Sequence, residues 1–113
     1  MRSFVVVAIL LACLPSAAQS RDVYVHGEGT RSCHDYLRHR EQGSANQDYF
    51  YVTWIRGFLA GYSVATSYEP TDRRIPGASG LLDYVDDHCR RHPRHRVADA
   101  AIALAGKLGG RHR

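Results

Sequence analysis

Three cysteines, at positions 13, 33 and 89, are the residues of this 113-residue chain whose chemistry is most constrained by where they stand. Cys13 lies inside an N-terminal stretch with the pattern of an export signal, and its removal would leave Cys33 and Cys89 as an even pair in an oxidising compartment. Their simplest chemistry there is one disulfide. Two free buried thiols would suit a reducing compartment better. In the chain-entropy picture, closing a loop of this length contributes roughly 4 kcal/mol.

Other side chains offer less. His88 and His92 are four apart and share a helix face, a spacing that suits Zn²⁺ or Cu²⁺, but a full site needs three or four ligands. The alternative is a solvated, positively charged helix end. The run Arg90-Arg91-His92-Pro93-Arg94-His95-Arg96 is the densest charge cluster, with Arg90, Arg91, Arg94 and Arg96 forming a basic corner. Such clusters bind phosphate backbones, yet no aromatic is interleaved and an exported protein rarely meets nucleic acid. An anionic surface, an acidic protein partner or a solubilising corner between helices fits better. No nucleophile elbow or phosphate loop is present, and bridged cysteines cannot serve as nucleophiles. The expectation is a protein that is not an enzyme and uses no cofactor.

The export reading rests on a short basic start (Arg2), an apolar run from Phe4 to Leu14, and small residues up to Ser20. Cleavage after Ala18 is expected, with the bond after Ser20 as the second choice; lipid attachment at Cys13 or a retained anchor are the alternatives. The run is short of the ~20 apolar residues that span a bilayer. Without Arg2, fourteen basic residues face eleven acidic ones, a mild excess of +3. Seven histidines charge as pH falls through about 6.5, so acid would make the protein strongly cationic.

The elements that must position these residues read as helices. Residues 19–31 lack a helical period and are expected as a loose or extended arm. Ser32 is an N-cap candidate, after which Cys33, Tyr36, Leu37 and Arg40 fall at helical spacing with Cys33, Tyr36 and Leu37 inward. Residues 41–47 read as a loop. Residues 48–67 form the longest segment, apolar on nearly every side, as a buried helix would be. Tyr51, Ile55, Phe58, Leu59 and Tyr62 make one stripe, and Phe50 and Trp54 begin another that continues into Gly57, Gly61 and Ala65. These small residues, four apart, would let a second helix approach closely, or are glycines tolerated in a core helix. Residues 68–79 read as a surface crossover. Ser79 is expected to cap a third helix over 80–92, with Leu81, Leu82, Val85 and Cys89 buried and Pro93 ending it. A fourth helix from about residue 96 places Val97, Ala101, Leu104 and Leu108 on one face, and residues 111–113 form a basic tail. The expected fold is all-α: one small domain over 32–110, a bundle of about four helices around one long central helix, stapled by one disulfide.

Three segments carry a resemblance to a known family: Ser32-Cys33-His34-Asp35-Tyr36-Leu37, the central Trp54-Ile55-Arg56-Gly57-Phe58-Leu59-Ala60-Gly61-Tyr62, and Leu82 to Pro93 with its Cys89-Arg90-Arg91-His92-Pro93 ending. Together they resemble the HdeA/HdeB family of small periplasmic acid-stress chaperones over most of the domain. The resemblance implies a periplasmic all-helical fold, often dimeric near neutral pH, with one disulfide between the two matching cysteines. It further implies loosening in acid and capture of unfolding client proteins. Tyr51, Trp54, Ile55, Phe58 and Tyr62 are then the candidate client or dimer surface, and the bridge fastens the first helix to the third across the central one. A rival of another class has similar dimensions: a periplasmic immunity protein that plugs a type VI secreted cell-wall amidase, with the 68–79 loop as the plug. A non-enzymatic scaffold of the cell envelope is a third possibility.

Overall fold

A computed structural model describes residues 25–66 and 75–109. The export segment with Cys13, the arm before residue 25, most of the 68–79 crossover and the basic tail lie outside the described residues. The described elements are a short 3-10 helix Gly27–Thr30, α1 Cys33–Gln42, α2 Ala45–Thr66, α3 Ala78–Arg91 and α4 Val97–Gly109. The all-α bundle around one long helix is thus the observed architecture, and the Cys33–Cys89 disulfide is formed, with Cα atoms 4.9 Å apart.

Local chemistry sets the helix ends. Ser32 has extended backbone and its hydroxyl accepts from the Asp35 N–H at 3.0 Å, which starts α1 as expected. Gly43 stops it in the left-handed region (φ 68°), where a side chain would be strained. Ser44 then accepts from the Gln47 N–H at 3.3 Å, so α2 begins at Ala45 and the expected 41–47 loop shrinks to Gly43-Ser44. The third helix also starts earlier than its sequence suggests. Gly77 occupies the cap position without a side-chain hydrogen bond, its carbonyl accepting from Leu81, and Ser79 lies inside α3 instead of capping it.

α3 packs on α1, α2 and α4, while α2 and α4 both cover the 3-10 helix. The core holds Cys33, Tyr36, Tyr51, Ile55, Leu81, Val85, Cys89 and Val97, each fully buried. Each large apolar side chain buried in this way contributes roughly 1.5–3 kcal/mol. Tyr36 and Tyr51 meet edge to face at 4.8 Å, a geometry that adds about 0.5–1.5 kcal/mol. Along α4 the buried face is mostly alanine (Ala98, Ala100, Ala101, Ala105), which permits close approach to its neighbours. α1 lies directly against α3, so the bridge joins two touching helices instead of reaching across α2.

Two joints escape a local reading. Cys33 N–H donates to the His95 carbonyl and Val97 N–H to the Arg31 carbonyl, both at 2.9 Å, so an isolated antiparallel bridge between Ser32 and Arg96 stitches the start of α1 to the start of α4. The second joint involves the described part of the expected arm, residues 25–31, which holds a 3-10 helix instead of a loose or extended segment. The 3-10 helix is docked under Trp54, whose indole N–H donates to the His26 carbonyl at 2.7 Å. Gly29 is buried there, and a Cβ on it would sit inside the indole ring. Gly29→Ala is therefore expected to lower stability by about 1–3 kcal/mol, the usual cost of overpacking. Trp54 is the only tryptophan, so its emission in a denaturant titration reads this joint directly.

Candidate functional site

α2 is the element around which a binding surface can be built. Its 22 residues span about 33 Å, whereas α3 and α4, of 14 and 13 residues, span only about 20 Å. Those two helices are too short to flank its whole length. Its last buried residue is Leu59; beyond it Tyr62 still packs against the core, whereas Val64, Ala65 and Thr66 are exposed. Tyr51 and Ile55, expected on the client surface, are wholly inside the core and face no solvent in this state. Trp54, Phe58 and Tyr62 are half-buried and form a ladder of stacked rings, with centroids 5.5 Å and 6.3 Å apart.

Outside this ladder lie Phe50, which opens the second stripe read from the sequence, and two residues, Tyr49 and Val64, that the sequence reading did not single out. Tyr49, Phe50 and Val64 are 67%, 55% and 82% exposed. Between them run Thr53, Gly57, Ala60 and Gly61, all exposed. A Cβ at Gly57 or Gly61 would meet no other atom within 4 Å, so no helix among the described residues occupies the small-residue groove. One charged side chain, Arg56, interrupts this face. The helical wheel carried the signal: Tyr49, Thr53, Ala60 and Val64 lie opposite Tyr51, Ile55 and Leu59. Exposed aromatic and aliphatic side chains grouped along one helix face make this the largest apolar grouping at the surface of the described residues.

A buried polar network lies behind the ladder. Asp86 on α3 accepts from Tyr36 Oη at 2.7 Å and is gripped by Arg40 through Nε at 3.0 Å and a terminal nitrogen at 3.2 Å. The other terminal nitrogen of Arg40 reaches Asp48 at 2.9 Å. The second oxygen of Asp48 is buried with no hydrogen-bond partner. Burial and the adjacent Asp86 carboxylate push the Tyr36 phenol well above its ordinary range, which keeps it a donor. The hydrogen bond to Asp86 raises the Arg40 guanidinium in turn. Tyr51, pushed up to about 12 by burial, meets His39 Nδ1 at 2.7 Å. No family model, no curated protein and no solved structure matches this chain. Function must therefore be argued from these contacts.

The basic corner is where the sequence put it: Arg90, Arg91, Arg94 and Arg96 are all exposed. Arg91 pairs with Asp87 at 2.7 Å and Arg96 with Asp99 at 3.8 Å. His88 and His92 do come together, with His95 added, but as ring contacts, tilted at His88 and stacked between His92 and His95, and among the described residues no group of three or more His, Cys, Asp or Glu could hold a metal ion. Among the same residues no helix is long and apolar enough to cross a membrane.

Proposed function

We propose that this chain is a non-enzymatic periplasmic binding protein of the acid-stress holdase type, which keeps unfolding client proteins in solution when the pH falls. The observation that carries this reading is the apolar face of α2, where Tyr49, Phe50 and Val64 stand exposed beside the Trp54–Phe58–Tyr62 ladder. Two features support it. The Tyr36–Arg40–Asp86 network fastens α1 to α3 through one ion pair, and the Cys33–Cys89 bridge would keep a loosened chain tethered. The HdeA/HdeB resemblance points the same way.

The test is light scattering by a denaturing periplasmic client at pH 2–3. The mature protein should suppress it, and the Tyr49→Ser/Phe50→Ser variant, altered only at exposed positions, should lose most of that suppression while melting like the parent. No suppression at several-fold molar excess would sink the holdase reading.

A second reading rests on the same face being exposed in the compact state, with no acid opening needed. A folded partner could dock there at neutral pH, as an immunity protein docks on a secreted cell-wall amidase. Of its expected plug, residues 75–79 are described, with Ala78 and Ser79 exposed at the head of α3. Nanomolar binding to an amidase at pH 7, lost in the same variant, would favour this reading. An envelope scaffold would show neither activity.

A further inference from the structure

The corner between α3 and α4 carries a feature that none of these functions uses. His88, only 6% exposed on the last turn of α3, has His92 at 4.7 Å and His95 at 5.2 Å between ring centroids. Tyr84 stacks on it from one turn earlier, at 6.5 Å. His92 and His95 stack nearly parallel at 4.6 Å. The deciding contact is His88 Nε2 to His95 Nδ1 at 3.0 Å. An imidazole pair can make that hydrogen bond only while one of the two nitrogens is unprotonated; two imidazolium rings would face each other as donor against donor.

The surroundings oppose added charge. From α3 itself come Arg91 and the exposed Asp87 that already pairs with it. From α4 come Asp99, engaged by the Arg96 side chain and backbone N–H, and Lys107, poised over the Tyr84 ring at 5.6 Å. From the α1 side come the backbone groups of Arg31 and Cys33. Burial first, then His92, His95 and Arg91, hold the His88 ring below its usual basicity, with only Asp99 acting the other way.

The mechanical role of the corner follows from its bonds. The carbonyl of His95 accepts the Cys33 N–H, and Arg96 pairs with Ser32. The loop that carries the stack is thus the loop that pins the start of α4 to the start of α1.

We propose that the His88–His92–His95 cluster is a pH-operated latch: closed while the hydrogen bond between the His88 and His95 rings has an unprotonated acceptor, and opened by acid when that acceptor is lost, so that the start of α4 is released from α1 and α3. Opening would uncover Val97, Ala100 and Ala101. The disulfide, one residue from His88, keeps α1 on α3 throughout. The latch is a property of the fold and does not depend on what the chain binds.

The sign of the effect is fixed by linkage. A group less basic in the folded than in the unfolded chain leaves the unfolded state with more bound protons once pH falls below the free imidazole value of about 6.5. Stability is therefore whole above that pH and declines below it. The experiment is amide hydrogen exchange, corrected for intrinsic rates, on the mature oxidised protein at pH 7.5 and 5. Protection at Cys33 and Val97 should fall several-fold more than that at Ile55 in α2, whose loss should match only the change in global unfolding. In parallel, the unfolding equilibrium constant from urea titration should rise several-fold from pH 7.5 to 5, and this rise should be largely absent in His88→Gln/His95→Gln. Unchanged protection at Cys33 and Val97 in the parent protein would overturn the latch even if the variant failed to fold. So would an equal pH dependence in the variant.

Discussion

Reducing the Cys33–Cys89 bridge is expected to lower the melting midpoint at pH 7 by roughly 15–30 °C, and to abolish the cooperative melt altogether when Asp86→Ala is added. The first part follows from the loop. The cysteines are 56 residues apart, and opening a loop of that size returns about 4 kcal/mol of chain entropy to the unfolded state, which in a domain this small is worth that many degrees. Small domains hold only about 5–15 kcal/mol in total, so this is a large share. The second part follows from what else holds α1. Ten residues make too short a helix to persist alone. Beyond the bridge at its first residue and apolar contact, α1 is fixed on α3 by Tyr36 and Arg40, both on Asp86, and by Tyr36 on the Leu82 carbonyl. Asp86→Ala removes the Arg40 contact and one of the two Tyr36 contacts. With the bridge open as well, only the Tyr36–Leu82 hydrogen bond and apolar contact remain between the two helices. Circular dichroism melts of Cys33→Ser, and of the parent and Asp86→Ala with and without reductant, test this at pH 7. A reduced Asp86→Ala protein that still melted cooperatively would show that apolar packing suffices and that the bridge is no mechanical necessity.

The pairing of these cysteines could be reached from the sequence because it needed only counting and compartment. So could the inward face of α1, since Ser32, Cys33, Tyr36 and Leu37 announce cap and periodicity locally. Arg40 fell on the same helical spacing, but its partners lie 8 and 46 residues away, and no periodicity points to them. Asp86 stands in the sequence beside Asp83 and Asp87 with nothing local to set it apart, although it is buried and the other two are exposed. The difference is the angle around the helix: Asp86 lies beside Leu82 and Cys89, on the buried side. The helix starts were misplaced by two or three residues where a cap was chosen by type alone. Ser79 is as good a cap residue as Ser44, and only the packing of the chain entering from Ile75 and Pro76 selects Gly77 instead.

α2 shows the opposite limit. A segment apolar all round reads as buried all round, and the inference fails because burial needs partners of equal length. Nothing in residues 45–66 states that the helices opposite will be a third shorter. The face of α2 left exposed by the described residues is thus a tertiary fact, written in the lengths of α3 and α4. The histidine stack is similar: the spacing of His88, His92 and His95 was visible, but a metal site and a stack of rings share that spacing, and only the ring planes separate them.

Asp86→Ala should destabilise the protein by about 3 kcal/mol at pH 7, at the lower edge of the 3–5 kcal/mol usual when one partner of a buried pair is removed. The carboxylate is 11% exposed and accepts three hydrogen bonds from two residues. Its loss leaves a guanidinium and a phenol facing an apolar core. Two circumstances hold the cost at the lower edge. Arg40 keeps Asp48 at 2.9 Å and is a quarter exposed, so water can reach it, and Tyr36 keeps the Leu82 carbonyl at 3.1 Å. Asp87→Ala is the matched control on the same helix. Its ion pair with Arg91 is shorter, at 2.7 Å, yet both side chains are at least 60% exposed, and an exposed pair at this spacing contributes only about 0.3–0.5 kcal/mol. Distance alone would rank the two substitutions the other way; burial decides. Urea titrations of the parent and both variants at pH 7 measure the difference directly. Equal costs for the two substitutions would mean that burial does not decide between them, and that Asp86 is not what fastens α1 to α3.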